Sequence, residues 1–220
     1  MEKSVSKAKL LILVAVAVIM TVVALCHIGF MHKQESSIIV NEIQKKNYEE
    51  IYVPTPNYDR DKENNVIGIV LHHTAEPTVE NSLSILSSSE KKVGAHVVID
   101  TDGTRYVMAD PEVAVYHAGF SIIDGKEGCN YCTVGVEFQG NTLVSPLTEN
   151  QILSGVEYLL PIIKKYHISL DHVVTHEMVR TAYKKKYPQK KCSVKVDITK
   201  EEYSRFMRVL TSFYEEIEKK

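Results

Sequence analysis

Apolar residues follow three rhythms along this chain, and each rhythm predicts a different kind of element. From Leu10 to Met31 they run almost unbroken, interrupted mainly by Thr21 and His27. That length matches the roughly 20 residues a helix needs to cross a bilayer core. Farther on, short β-branched runs bounded by turn residues predict strands. Asn65 to His73 is one, Cys132 to Gly140 another with Val134, Val136 and Phe138 alternating, and His172 to His176 a shorter third. Ala95 to Ala109 reads as a hairpin whose strands meet at Asp102-Gly103, a dipeptide suited to tight turns. The third rhythm is helical. Val79, Leu83 and Leu86 mark a short helix over residues 78–89. Thr148 and Gln151 form a capping-box pattern ahead of an apolar face through Ile152, Val156, Leu159 and Ile163, with Pro161 near the end. Thr199 and Glu202 repeat that pattern ahead of Phe206, Val209, Leu210, Phe213 and Ile217. Strands and helices interleave, which predicts an α/β domain: a central mixed β-sheet flanked by helices.

Lys3, Lys7 and Lys9 precede the long apolar run, and no small-x-small cleavage pattern follows it. Residues 1–33 are therefore expected to be a retained signal anchor, a transmembrane helix with its N-terminus in the cytoplasm and the rest exported. Residues 34–63, polar and charged with Pro54 and Pro56, read as a tether, and residues 64–220 as the folded domain. Beyond residue 33 there are 22 Lys plus Arg against 27 Asp plus Glu, which argues against a general nucleic-acid binder. One basic stretch, residues 180–195, reads as a solvated loop, or as a basic loop whose charge would meet an anionic peptide. Cys129 and Cys132 have CxxC spacing, but a zinc ribbon needs a second pair and none exists.

Two strands end on histidine. His72 and His73 close the first, and His176 closes the short third. Delivering imidazoles to one rim of a sheet is how a fold gathers metal ligands, and catalytic zinc takes about three protein ligands plus a water. Cys192 would complete a His, His, Cys set. Glu137 interrupts an apolar strand, where a carboxylate is costly without a task or partner, so it is the candidate base.

The segments IVLHHTA (69–75), GAHVVIDTDGT (94–104), YHAGFS (116–121), CNYCTVGVEFQG (129–140) and VVTHEM (173–178) occur in this order. Together they resemble the type 2 N-acetylmuramoyl-L-alanine amidases, a superfamily that includes phage lysozyme-like amidases and peptidoglycan recognition proteins. The resemblance implies a zinc hydrolase that cuts the amide between N-acetylmuramic acid and L-alanine in peptidoglycan or muropeptides. It implies Zn2+ held by His72, His176 and a third ligand two residues after a catalytic lysine. Lys190-Lys191-Cys192 meets that pattern, making Cys192 the ligand and Lys190 the oxyanion donor. Lys195-Val196-Asp197 meets it too, so the third ligand stays open between Cys192 and Asp197. Cys192 follows His176 by 16 residues, a longer spacing than in the familiar members. Glu137 is implied as general base and then acid; some members use a tyrosine where this chain has Ala95. His117 and His73 are the expected substrate contacts, and His96 a supporting residue. The expected partners are peptidoglycan or a muropeptide and, through the anchor, the membrane; the protein is expected to be a monomer. The alternative is a peptidoglycan-binding protein on the same fold that has lost catalysis.

Overall fold

A computed structural model of the chain describes Met20, Thr21, residues 47–194 and residues 196–219. The chain divides into two units, residues 1–45 and 46–220, and the second carries everything below. Apart from Met20 and Thr21, which are helical, the expected anchor lies outside the described residues. Among the described residues, no helix is long and apolar enough to cross a membrane.

The strands run β1 (Glu50–Tyr52), β2 (Tyr58–Glu63), β3 (Gly68–His73), β4 (Val97–Ile99), β5 (Arg105–Val107), β6 (Val113–Val115), β7 (Ile122–Ile123), β8 (Lys126–Glu127), β9 (Thr133–Phe138) and β10 (Val173–Thr175). The helices are α1 (Val79–Leu86), α2 (Glu149–Tyr166), α3 (His176–Lys186) and α4 (Lys200–Ile217). Six strands form a mixed sheet in the order β1-β5-β4-β9-β3-β10, and β2-β6 and β7-β8 make two small ribbons. Only β4 and β5, the expected hairpin, pair antiparallel within the large sheet. As expected from sequence, helices flank a central mixed sheet.

Two expectations need correction. The tether was placed over residues 34–63, yet β1 pairs with β5 at the sheet edge and β2 pairs with β6. An edge strand is bonded on one side only and tolerates charge, so its composition resembles a linker. The basic stretch from residue 180 was expected to be a loop. Its first part instead completes α3, which buries Val179 and Tyr183 and leaves its lysines in solvent.

The sheet's two faces are filled differently. Ile69, Leu71, Val134, Val136, Val97 and Ile99 share one face with Phe138. That face packs on helices: Phe138 meets Phe206 of α4 edge-on, ring centroids 5.5 Å apart. Gly155 of α2 lies where a side chain would meet both rings, at 3.0 and 3.1 Å from the nearest ring carbons. Both helices start as predicted, with the Thr148–Gln151 capping box closed and Thr199 accepting from the Glu202 N–H. Each buried aliphatic or aromatic side chain here contributes about 1.5–3 kcal/mol. The opposite face carries Gly68, Val70, His72, Thr133, Gly135 and Glu137.

Candidate active site

His72 is the penultimate residue of β3, and its register partner on β9 is Glu137. Register partners in adjacent strands project to the same face, so the pairing sets imidazole and carboxylate side by side. On the other flank, Thr175 of β10 pairs with Leu71. The next residue, His176, opens α3 and lies beside His72, the two rings 4.6 Å apart. Thr175 caps the helix through the Met178 N–H, which fixes the point where strand becomes helix. Asp197 completes the group from the segment before α4. Its Oδ2 lies 3.0 Å from His72 Nδ1 and 2.7 Å from His176 Nδ1.

With all three rings neutral, the hydrogen-bond network is consistent with one set of ring protons. His176 Nε2 donates to the carbonyl of Ala118 at 3.2 Å. Thr133 Oγ1 gives its own hydrogen to the Cys129 carbonyl at 2.7 Å, so it accepts from His117 Nε2 at 3.3 Å. His117 Nδ1 is then an acceptor, and His72 Nε2 donates to it at 3.2 Å. In the neutral imidazoles both remaining Nδ1 lone pairs therefore point at a carboxylate oxygen. Three such atoms within 4.8 Å of one another can share a cation between them. Two imidazoles and a carboxylate, each ring anchored through its other nitrogen, form a donor set that suits zinc. Burial by itself pushes the Asp197 carboxyl up, but with ring protons at His176 and His72 in place of a metal, their hydrogen bonds and charge outweigh it and hold the group far below the usual carboxylate range. Burial, and then His72, keep His117 well below ordinary histidine, in keeping with a neutral ring.

Of the residues picked out from sequence, the structure brings together His72, His176, Glu137, His117 and His73, which line one cavity with Asp197. It does not bring Cys192, which corrects that choice of third ligand. Residues 176–186 coil into α3 and carry the chain past the site, so Cys192 ends away from the cavity. There it is buried against Ile122 and Tyr183. The returning segment is pinned instead: Thr142 Oγ1 donates to the Asp197 carbonyl and accepts from the Thr199 N–H, each at 3.0 Å. Lys190 is exposed, its backbone N–H bonded to the Tyr187 carbonyl, and it does not line the cavity. Lys195 lies outside the described residues.

His73 points the other way from His72 and takes a supporting part, accepting the Thr142 N–H at Nδ1. His96 is wholly buried; its Nδ1 accepts from the Gly135 N–H and its Nε2 donates to the Val113 carbonyl. Sequence reasoning weighed the CxxC turn for its cysteines and passed over the residues between them. Asn130, between the cysteines, accepts the backbone N–H groups of His117 and Ala118 at 3.0 and 2.7 Å. Cys129 and Cys132 are free thiols packed behind it. Gly135 was also missed. A Cβ there would sit 2.5 Å from His117 Cγ, so the ring lies directly over the bare strand.

Residues 62–193 match the family model described as N-acetylmuramoyl-L-alanine amidase. The chain belongs to that family. The match contains His72, Glu137 and His176 and stops short of Asp197. The chain is similar to the 1,6-anhydro-N-acetylmuramyl-L-alanine amidase AmpD of Haemophilus influenzae, 34% identical over 90 residues. That similarity spans 40% of this chain and 47% of the relative, about half its length. Among solved structures, a selenomethionine derivative of AmpD superposes with a TM-score of 0.58 at 21% identity, covering 75% of this chain and 96% of that one. The amidase LysC from Clostridium intestinale gives 0.52 at 19% identity, covering 75% and 99%. These likenesses place the fold among the amidases, as the sequence motifs implied.

Proposed function

We propose that this protein hydrolyses the amide joining N-acetylmuramic acid to L-alanine in peptidoglycan or muropeptides. The observation that carries this reading is one cavity in which a His72, His176 and Asp197 donor set faces Glu137 from the adjacent strand. Zinc bound by those three residues would polarise the scissile carbonyl and bring a water's pKa down to about 7. Glu137 stands beside His72 to accept a proton from the attacking water. It returns that proton to the departing alanine nitrogen as the C–N bond breaks, acting as base and then acid. His117 fixes the His72 ring, and Ala118 fixes that of His176. Ser82 and Leu86 are buried in the walls of the cavity.

The non-catalytic alternative on the same fold does not need a complete donor set and a carboxylate in one cavity. Metal analysis of the purified protein, with digestion of a muramoyl peptide followed by amino-terminal labelling, separates the two. Hydrolysis exposes new alanine amino groups, and Glu137→Gln should keep the metal while losing about 10²–10⁴-fold in rate. A stoichiometric metal with no new alanine termini would leave only the binding protein.

We also propose that residues 10–31 anchor the enzyme in the cytoplasmic membrane with residues 46–220 outside. The support is the length of the apolar run and the lysines before it. A C-terminal tag should be accessible from outside, and the full-length chain should sediment with membranes. A trimmed soluble form as the main species would overturn the anchor.

A further inference from the structure

The turn behind the donor set carries two thiols that the proposed reaction does not use. Cys129 and Cys132 are both free and both buried, packed with Val70, Ala118 and Val179. The Cys132 N–H donates to the Cys129 carbonyl at 3.1 Å, closing a turn over Asn130 and Tyr131. A turn closed in this way keeps its first and fourth Cα atoms within about 7 Å, and a disulfide spans about 4.4–6.8 Å between Cα atoms. We infer that Cys129 and Cys132 are a redox site, converted from dithiol to disulfide by exchange with a small-molecule disulfide, and that the disulfide weakens zinc binding through Asn130. The inference rests on the zinc reading of His72, His176 and Asp197 above and adds its regulation.

The two sulfurs are unequal. Cys129 donates its S–H to Cys132, which holds the Cys132 thiol below its usual range against the opposing effect of burial, with Lys126 adding to the lowering. The same contact, and then burial, push the Cys129 thiol up. Cys132 is therefore the attacking thiolate. It is also the more accessible of the two, 6% exposed against 0%. Its sulfur attacks one sulfur of the small disulfide, forming a mixed disulfide and releasing one thiol that takes up the Cys132 proton. Cys129 then attacks the Cys132 sulfur, closing the internal bond and giving its proton to the second departing thiol. Two protein thiols are oxidised and one small disulfide is reduced.

The turn matters because of what it holds. Asn130 Oδ1 accepts the N–H groups of His117 and Ala118, at 3.0 and 2.7 Å. The Cys129 carbonyl accepts from Thr133 Oγ1 at 2.7 Å, and Thr133 in turn accepts from His117 Nε2. His117 Nδ1 and the Ala118 carbonyl are the acceptors that orient His72 and His176 through their Nε2 atoms, each at 3.2 Å. Both histidines of the donor set thus take their orientation from residues anchored on one turn. An S–S bond of about 2.05 Å is far shorter than an S–H···S contact, so closing it draws the ends of the turn together and shifts Asn130 from the two amides. Loss of such outer contacts lowers metal affinity by about 10–100-fold.

The test uses the full-length protein, held with oxidised glutathione or with dithiothreitol and then freed of either by gel filtration. Peptide mass mapping of the oxidised sample should show a Cys129–Cys132 disulfide. Its zinc dissociation constant should stand about 10–100-fold above that of the reduced sample, and re-reduction should bring it back. Cys132→Ala should bind zinc equally after either treatment, whereas Cys192→Ala should respond as wild type does. Asn130→Ala, while reduced, should match oxidised wild type. Asn130→Asp, which keeps an acceptor oxygen, should match reduced wild type. Absence of the disulfide, a disulfide that leaves zinc affinity unchanged, or an Asn130→Ala variant that binds zinc as reduced wild type does would overturn the redox site while the donor set stands. A reduced wild-type protein that binds no zinc would bring down the donor set, and this inference with it.

Discussion

The two faces of the central sheet are made by the same strands and share almost nothing in side-chain chemistry. Reading β9 and β3 in register, one face presents Val134, Val136 and Phe138 beside Ile69 and Leu71. The other presents Thr133, Gly135 and Glu137 beside Val70 and His72. The first is bulky, branched and sealed by α2 and α4. The second is small where a ring must lie down and titratable where chemistry is proposed. Because successive residues of a strand point to opposite faces, six residues of β9 both build a core and present a site. Each change below should therefore move either stability or chemistry, and seldom both.

The largest effect belongs to the donor set. Asp197→Ala should strip the metal and abolish hydrolysis, while Cys192→Ala, packed on Ile122 and Tyr183 away from the cavity, should keep both. Metal content by atomic spectroscopy decides it. A Cys192 variant that loses metal beside an Asp197 variant that retains it would reverse the assignment.

The next pair sets face against face. Phe138→Ala removes a fully buried ring and should cost about 3–5 kcal/mol in urea denaturation. Glu137→Gln, one residue earlier and on the other side, should leave the midpoint nearly unchanged while activity falls. If Glu137→Gln destabilised as much as Phe138→Ala, the carboxylate would be part of the core and not of the site.

A smaller effect sharpens the comparison through pH. Burial pushes His96 down from 6.5 to about 4, partly offset by its bond to Val113 and by Glu112. In the unfolded chain the ring takes a proton near 6.5, so over this window unfolding binds a proton. Stability from this residue is complete above about pH 6.5, erodes as pH falls, and stops changing below about pH 4. The loss is about 3 kcal/mol. His96→Gln can still accept from Gly135 and donate to Val113 without titrating. Its denaturation free energy should fall less between pH 6.5 and pH 4 than that of wild type. Identical slopes would mean that the ring is charged in the fold.

Sequence pattern carried the apolar face almost entirely. Alternation in β9, branched runs in β3 and β4 and capping boxes on α2 and α4 are local signals, and local signals survive folding. His72, His176 and Glu137 were legible as polar residues intruding on that pattern. Asp197 was harder, because Lys190-Lys191-Cys192 and Lys195-Val196-Asp197 carry the same spacing. What separates them is tertiary: α3 consumes the chain after His176, and Thr142, 55 residues before Asp197, pins the return. The mean composition of residues 180–195 reads as solvent-facing, because the lysines outnumber the apolar side that anchors α3. β1 was hidden for a related reason, since an edge strand shows little of the alternation that marks a central one.

The smallest expected effect lies at Gly135, and it tests whether the bare strand is there for His117. An alanine Cβ would lie 2.5 Å from Cγ, 2.6 Å from Nδ1 and 2.9 Å from Cβ of that residue. The ring cannot simply slide, since Thr133 holds its Nε2 and Asn130 holds its backbone N–H. Overpacking of this kind costs about 1–3 kcal/mol. Displacing His117 also removes the acceptor that orients His72, and loss of such an outer contact weakens metal binding by about 10–100-fold. Gly135→Ala should therefore show a modest fall in stability with a measurable rise in the zinc dissociation constant. Combining it with His117→Ala removes the two ring contacts, leaving only the 2.9 Å approach to Cβ, but does not restore the missing acceptor, so the double variant should regain part of the stability and still bind zinc weakly. If Gly135→Ala binds zinc as wild type does, His117 does not orient His72, and the small residues of that face need another explanation.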